Sequence, residues 1–189
     1  MSLESHARLL AGGCVVAFAL TTPSFAADYV QAPGSTLTFA TKYEGEVFVG
    51  RFSSFSTRLS FDPKRLATSR LDVTIPLAGV NVGNPDGDDT LESADFFNVA
   101  KFPQARFSAT KFRSLGGNRY AADGTLTLRG ATKPLTLNFT WAPGAKPVLT
   151  GKATVKRLDF GVGGGDWADT ELTPNEVAVS TKVVFGVAK

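Results

Sequence analysis

Cysteine, histidine and methionine occur once each, and all three fall in the first fourteen residues, as Met1, His6 and Cys14. Residues 9–20 (LLAGGCVVAFAL) form an apolar run behind Arg8, and Ser24-Phe25-Ala26 places small residues three and one before a cut, as a secretory signal peptide requires. The expectation is a signal peptide over 1–26 and a single exported domain over 27–189, periplasmic in location. The run is too short for a bilayer span, which needs ~20 apolar residues, and no later segment approaches it. Cys14 lacks the Leu that a lipid-attachment signal usually carries three residues earlier, where Ala11 stands.

Residues 27–189 therefore hold no Cys, His or Met. That excludes a zinc thiolate site, a Cys–His pair, a Ser–His–Asp triad and any disulfide. Most hydrolase chemistry goes with them, and the expectation is no catalytic residue, no metal and no cofactor. The net charge of +3 is small and scattered, which argues against nucleic acid.

What is present is alternation. Strand patterns at 35–41, 46–62, 70–77, 105–115, 118–129, 134–141, 148–156 and 176–187 are separated by Gly, Pro and Asp. Segment 46–62 is too long for one straight strand, and Gly50 with Ser53-Ser54 predicts a bend or bulge in it. Hairpin signals join 105–156 into a meander, Gly116-Gly117 being able to take the positive φ angles of a tight turn. Eight or nine strands predict an all-β, antiparallel, lipocalin-like eight-stranded barrel, whose lumen admits one small or slender ligand. Thirteen of the 15 Phe lie after residue 26, which suits either an apolar lumen or a Phe-rich sandwich core without a cavity.

The β pattern stops between 78 and 104. Residues 78–88 read as loop, and Asp89-Thr90-Leu91-Glu92 reads as a capping box opening one short helix towards Phe96 and Phe97, with Pro103 closing the excursion. The acids Asp86, Asp88, Asp89, Glu92 and Asp95 fit no EF-hand spacing and read as a solvated loop and helix cap. Gly161–Gly165 lacks the strand and helix of a phosphate loop and reads as a tight bend against another element. Trp167 either stacks on a ring or closes one barrel end. Phe96, Phe97 and Phe102 either cap the mouth of a barrel or complete its core.

At these residues the chain resembles the YceI-like periplasmic polyisoprenoid-binding proteins. The resemblance rests on Gly50-Arg51-Phe52 with Phe61-Asp62-Pro63, on 95–103 (DFFNVAKFP), on 124–134 (GTLTLRGATKP) and on Arg157-Leu158-Asp159-Phe160-Gly161. It implies a lipocalin-like barrel binding an isoprenoid lipid or prenyl quinone in its lumen, often as a homodimer. It also implies a role beside membrane b-type cytochromes. Where many relatives carry a threonine-glycine turn followed by an Arg-Asp pair ahead of the helix, this chain has Val82-Gly83-Asn84-Pro85-Asp86-Gly87-Asp88-Asp89, so a basic residue that would face a headgroup is missing there.

The function expected is a non-enzymatic carrier or sequestering protein for a long isoprenoid lipid. The alternative is an accessory subunit docking on a membrane b-type cytochrome or other partner, with no ligand in its lumen. Candidate lumen residues are Leu37, Phe39, Phe52, Phe107, Leu137, Phe139 and Trp141, with Phe96, Phe97 and Phe102 at the mouth.

Overall fold

The computed structural model describes residues 27–187, so the expected signal segment 1–26 lies outside the described residues. The strands are β1 (Ala27–Gln31), β2 (Thr36–Tyr43), β3 (Glu46–Phe52), β4 (Ser56–Phe61), β5 (Arg70–Pro76), β6 (Val80–Asn81), β7 (Gln104–Ser114), β8 (Arg119–Leu128), β9 (Ala131–Ala142), β10 (Val148–Lys156) and β11 (Glu176–Val187). One short α-helix, α1 (Pro85–Glu92), interrupts them. Eight strands close an antiparallel ring in the order β1, β4, β5, β7, β8, β9, β10, β11, with β11 returning to β1. The expected barrel is the observed fold.

Its seam is short. Only Tyr29, Val30 and Gln31 of β1 face Val187, Gly186 and Phe185 of β11, while Ala178–Lys182 of β11 pair with β2. Between β1 and β2 the chain turns a corner at Ala32-Pro33-Gly34-Ser35, where Gly34 has φ +91°. Ser35 Oγ donates to the Ala32 carbonyl at 2.8 Å and accepts from the Val184 amide at 3.0 Å, tying the corner to β11.

Segment 46–62 is two strands in different places. β3 pairs with β2 and, at Arg51 and Phe52, with β6, whereas β4 pairs with β1 and β5. Gly50 does not make the bend. It sits mid-strand opposite Phe39, whose ring lies across it so closely that a Cβ there would clash with the ring carbons. The glycine serves close approach of an aromatic, and the break comes after it, at Ser53–Phe55.

The helix also begins earlier than the sequence pattern predicts. Asn84 is its N-cap, with Oδ1 accepting from the Gly87 amide at 2.7 Å, and Pro85 opens the first turn. The capping box at Asp89–Glu92 therefore does not form. Glu92 accepts instead from the Gly79 amide at 2.6 Å, and Asp88 Oδ1 from the Val82 amide at 2.7 Å. These acids fasten α1 to β6, which lies inside the stretch expected to be loop.

On the outer wall Asp123 accepts from Arg113 Nε at 2.7 Å and from Thr136 Oγ1 at 2.7 Å. The Arg113 hydrogen bond, then that of Thr136, holds its carboxyl down at about 2. Because the folded value lies below the ordinary carboxylate value, the pair stabilises the fold above pH ~4 and is lost as pH falls from ~4 towards ~2. The Asp123→Asn variant should accordingly melt below the parent at pH 6, with the gap narrowing at pH 2. A gap independent of pH, followed by calorimetry, would contradict this assignment.

Candidate ligand-binding cavity

The inward rows of β4, β9 and β11 change character along their length. On β9 the inward row runs Leu135, Leu137, Phe139, Trp141; on β11 it runs Val177, Val179, Thr181, Val183, Phe185; on β4, Thr57, Leu59, Phe61. Aliphatic positions occupy the end near α1 and aromatic ones the far end. The aromatic end is packed solid: the Phe61 ring centroid lies 5.1 Å from Tyr120, 5.2 Å from Trp141 and 5.7 Å from Phe139, with Tyr29, Phe112 and Phe185 around them. The end near α1, where Phe39, Phe52, Phe96, Phe97 and Phe107 stand among aliphatic side chains, is not filled. It encloses a cavity of about 180 Å³, slightly above the ~150 Å³ at which an apolar protein cavity stays dry and accepts benzene.

Seven of the ten expected lumen residues line this cavity: Leu37, Phe39, Phe52, Phe96, Phe97, Phe107 and Leu137. Three do not. Phe139 and Trp141 belong to the aromatic floor, because alternation gives the face of a residue and says nothing of its depth in the barrel. Phe102 lies outside the lining, against Gly130 in the β8–β9 turn, with Lys101 Nζ 5.3 Å from its ring centroid. The lining also includes Thr57, Leu71, Val155, Val162 and Arg157, which the residue patterns did not single out. Thr57 and Leu71 sit in rows whose alternation was legible. Val162 and Arg157 come from the Gly-rich stretch, where no period exists to place them.

At the mouth, consecutive aromatics diverge. Phe97 points in, its ring 6.5 Å from Phe39 and 6.1 Å from Phe52, and Phe96 turns towards Trp167 at 5.3 Å. Trp167, 36% exposed, covers Phe96 from outside and meets Tyr43 at 6.3 Å. Tyr43, Val47, Val49 and Leu172 are exposed nearby, and the Glu44 amide donates to the Leu172 carbonyl at 3.0 Å, joining the β2–β3 hairpin to this loop.

A YceI-like domain model matches residues 29–185, from within the seam strand β1 into β11. The chain belongs to the YceI-like family. Among its relatives, a UPF0312 protein of Vibrio campbellii is 31% identical over 179 residues, covering 87% of this chain and 94% of that one. A UPF0312 protein of Shewanella baltica is 34% identical over 149 residues, 72% of this chain and 78% of the relative. The crystal structure of Burkholderia cenocepacia BcnA superposes with a TM-score of 0.76 at 31% identity, over 79% of this chain and 95% of that one. A structure titled as a polyisoprenoid binding domain from Saccharophagus degradans gives 0.66 at 16% identity, over 87% and 100%; at that identity it speaks for the fold.

Two arginines of the family-matching segments hold the mouth of this YceI-like barrel. Arg129, at φ +50° in the two-residue β8–β9 turn, donates to the Ala94 carbonyl at 2.6 Å and the Asp95 carbonyl at 3.2 Å. Arg157 is 4% exposed and has no carboxylate partner among the described residues; its five donors go to the carbonyls of Pro174, Val162, Gly163, Trp167 and Thr173. Burial pulls its pKa below the ordinary arginine value, and the carbonyl cage offsets that cost. Gly163 donates its amide to Asp95 at 2.8 Å, and at φ +61° it lies where a Cβ would meet the Phe96 ring at 3.1 Å. The Gly-rich stretch is thus a tight bend packed on the Phe96 loop, as its composition predicts.

Residues 93–98 are fastened internally as well, with Phe97 N donating to the Leu91 carbonyl at 2.9 Å and Asn98 N to Ser93 at 2.8 Å. Phe97 is both core and cavity wall, 7% exposed. Its replacement by Ala should cost ~3 kcal/mol, a fall in melting temperature of roughly 6–12 °C, because the ring's contacts with Phe39 and Phe52 vanish. An unchanged melting curve would show a segment free of the core.

Proposed function

We propose that this protein is a non-enzymatic binding or carrier protein for an isoprenoid lipid, a prenyl quinone or a polyprenyl lipid, held in the barrel lumen. The carrying observation is the unfilled apolar end of the barrel near α1, beside an end closed by clustered aromatic rings. A protein that needed only a core would fill both, since an unfilled cavity costs ~24 cal/mol per Å³. The lining is hydrocarbon apart from Thr57, Thr181 and Arg157, whose chemistry suits holding a tail and offers neither nucleophile–base pair nor paired acids. Each methylene of a tail buried there contributes ~0.8 kcal/mol, so affinity needs few polar contacts. The polyisoprenoid binding named for the Saccharophagus degradans domain, which shares the fold, supports the ligand class.

With 1–26 removed on export, the working location is the periplasm, where such lipids must cross water between membranes. The exposed set Tyr43, Val47, Val49, Trp167 and Leu172 favours a second reading, docking on a membrane partner such as a b-type cytochrome with no ligand in the lumen.

Organic extraction of the protein purified from its own host, followed by mass spectrometry, separates the two. The lipid-binding reading expects a prenyl quinone or polyprenyl lipid at close to one molecule per barrel. Protein recovered free of lipid, and unable to take up added prenyl lipid, would leave the docking reading.

A further inference from the structure

Of the chain's three Tyr and two Trp, Tyr29, Tyr120 and Trp141 pack in the aromatic floor. The other two meet outside the lumen, Tyr43 at the end of β2 and Trp167 in the loop before β11, with ring centroids 6.3 Å apart. They face an open cleft of about 290 Å³ whose remaining walls are Asp166, Asp169, Leu172 and Thr173. The backbone of these walls is tied down. Arg157 donates to the Trp167 carbonyl at 2.9 Å and to the Thr173 carbonyl at 2.8 Å, and the Thr173 amide donates to the Asp169 carbonyl at 3.1 Å. The Glu44 amide, on the Leu172 carbonyl, holds the Tyr43 hairpin against the loop. A partner therefore meets a frame already in place and need not order it.

The charge around this cleft has one sign, although the chain as a whole carries +3. Asp166 and Asp169 line it, Glu46 pairs across from Tyr43 and so shares its face of the hairpin, and Glu44 and Glu171 stand on the two sides of the hairpin–loop tie. Lys42 alternates with Tyr43 and falls on the opposite face. The three ion pairs among the described residues involve none of these acids.

We propose that the cleft is a docking site for an arginine side chain of a protein partner, its guanidinium plane against the Trp167 ring and its N–H groups on Asp166 and Asp169. Exposed aromatic faces attract a cation, carboxylates accept its N–H groups, and a guanidinium has a plane for the first and a fork of donors for the second. Trp and Tyr are also the residues that anchor protein interfaces. An anionic lipid surface fits poorly, since five acids would repel its phosphates. Trp167 rests on Phe96, which lines the lumen, so the partner stands at the mouth of the barrel. The proposal is independent of what the lumen holds and serves a lipid carrier and a docking subunit alike.

The test titrates the folded protein with the peptide acetyl-Gly-Leu-Arg-Leu-Gly-amide and with its citrulline counterpart, which keeps the side chain's shape and loses its charge. The indole N–H signal of Trp167 is followed by NMR. The arginine peptide should bind about tenfold or more tightly than the citrulline peptide, and its affinity should fall as salt is raised. Asp166→Asn combined with Asp169→Asn should weaken the arginine peptide about tenfold, and Trp167→Leu should weaken it about three- to fivefold. The double Asn variant should keep the parent's melting temperature and its uptake of added prenyl lipid, because both acids are exposed and lie outside the lumen. Equal binding of the two peptides, undiminished binding by the double variant, or no binding of the arginine peptide would overturn the site and leave the lumen reading untouched. So would Trp167-dependent binding to phosphatidylglycerol vesicles that the Asn substitutions strengthen, which would make this face a membrane contact.

Discussion

Strand β11 gives one whole edge to β10, over nine residue pairs, and divides the other between β1 and β2. The rest of the architecture follows from that division. The β1 share closes the ring and removes the exposed sheet edge that would otherwise recruit another chain. The β2 share carries a hairpin away from the ring, so the barrel is tight at one end and open at the other. The gap is covered by β6, α1 and the Phe96-Phe97 turn, held by side chain to backbone contacts and not by a continuous ladder.

A cover of this kind has many backbone groups with no strand partner, and they must be satisfied without placing charge in the lumen. Arg157 does this for the 162–174 loop and Arg129 for the turn at 94–95. A guanidinium suits the task because its five donors point outward in one plane, matching several carbonyls at once. A buried cation facing neutral dipoles, with no carboxylate beside it, keeps the wall of the lumen free of acceptors that would compete for a ligand. It also seats Trp167 over Phe96, joining the rigid loop to the aromatic rim.

The two halves of the barrel interior then perform different work. The aromatic floor supplies stability through tilted and edge-on ring pairs, each worth ~0.5–1.5 kcal/mol beyond its buried area. The half near α1 gives up part of that packing and keeps a space in which a slender apolar molecule replaces missing side chains.

Local chemistry in the sequence carried the all-β class, the meander from β7 to β10 and which side chains of a strand share one face, because alternation and turn residues act over a few neighbours; which of the two faces turns into the lumen was decided by the closed ring. It also carried the match to a family, through the segments around Phe96 and Arg129. It did not carry β1 or β6, whose few residues form strands only because β4, β11 and β3 supply partners. Nor did it separate Leu137, which lines the cavity, from Phe139 two residues on, which plugs the floor. Both face inward, and depth along a barrel depends on the register of strands distant in sequence. The same holds for Arg157: whether a buried cation is satisfied is a property of the groups folding brings around it, so tertiary structure alone decided that its donors end on a cage of carbonyls.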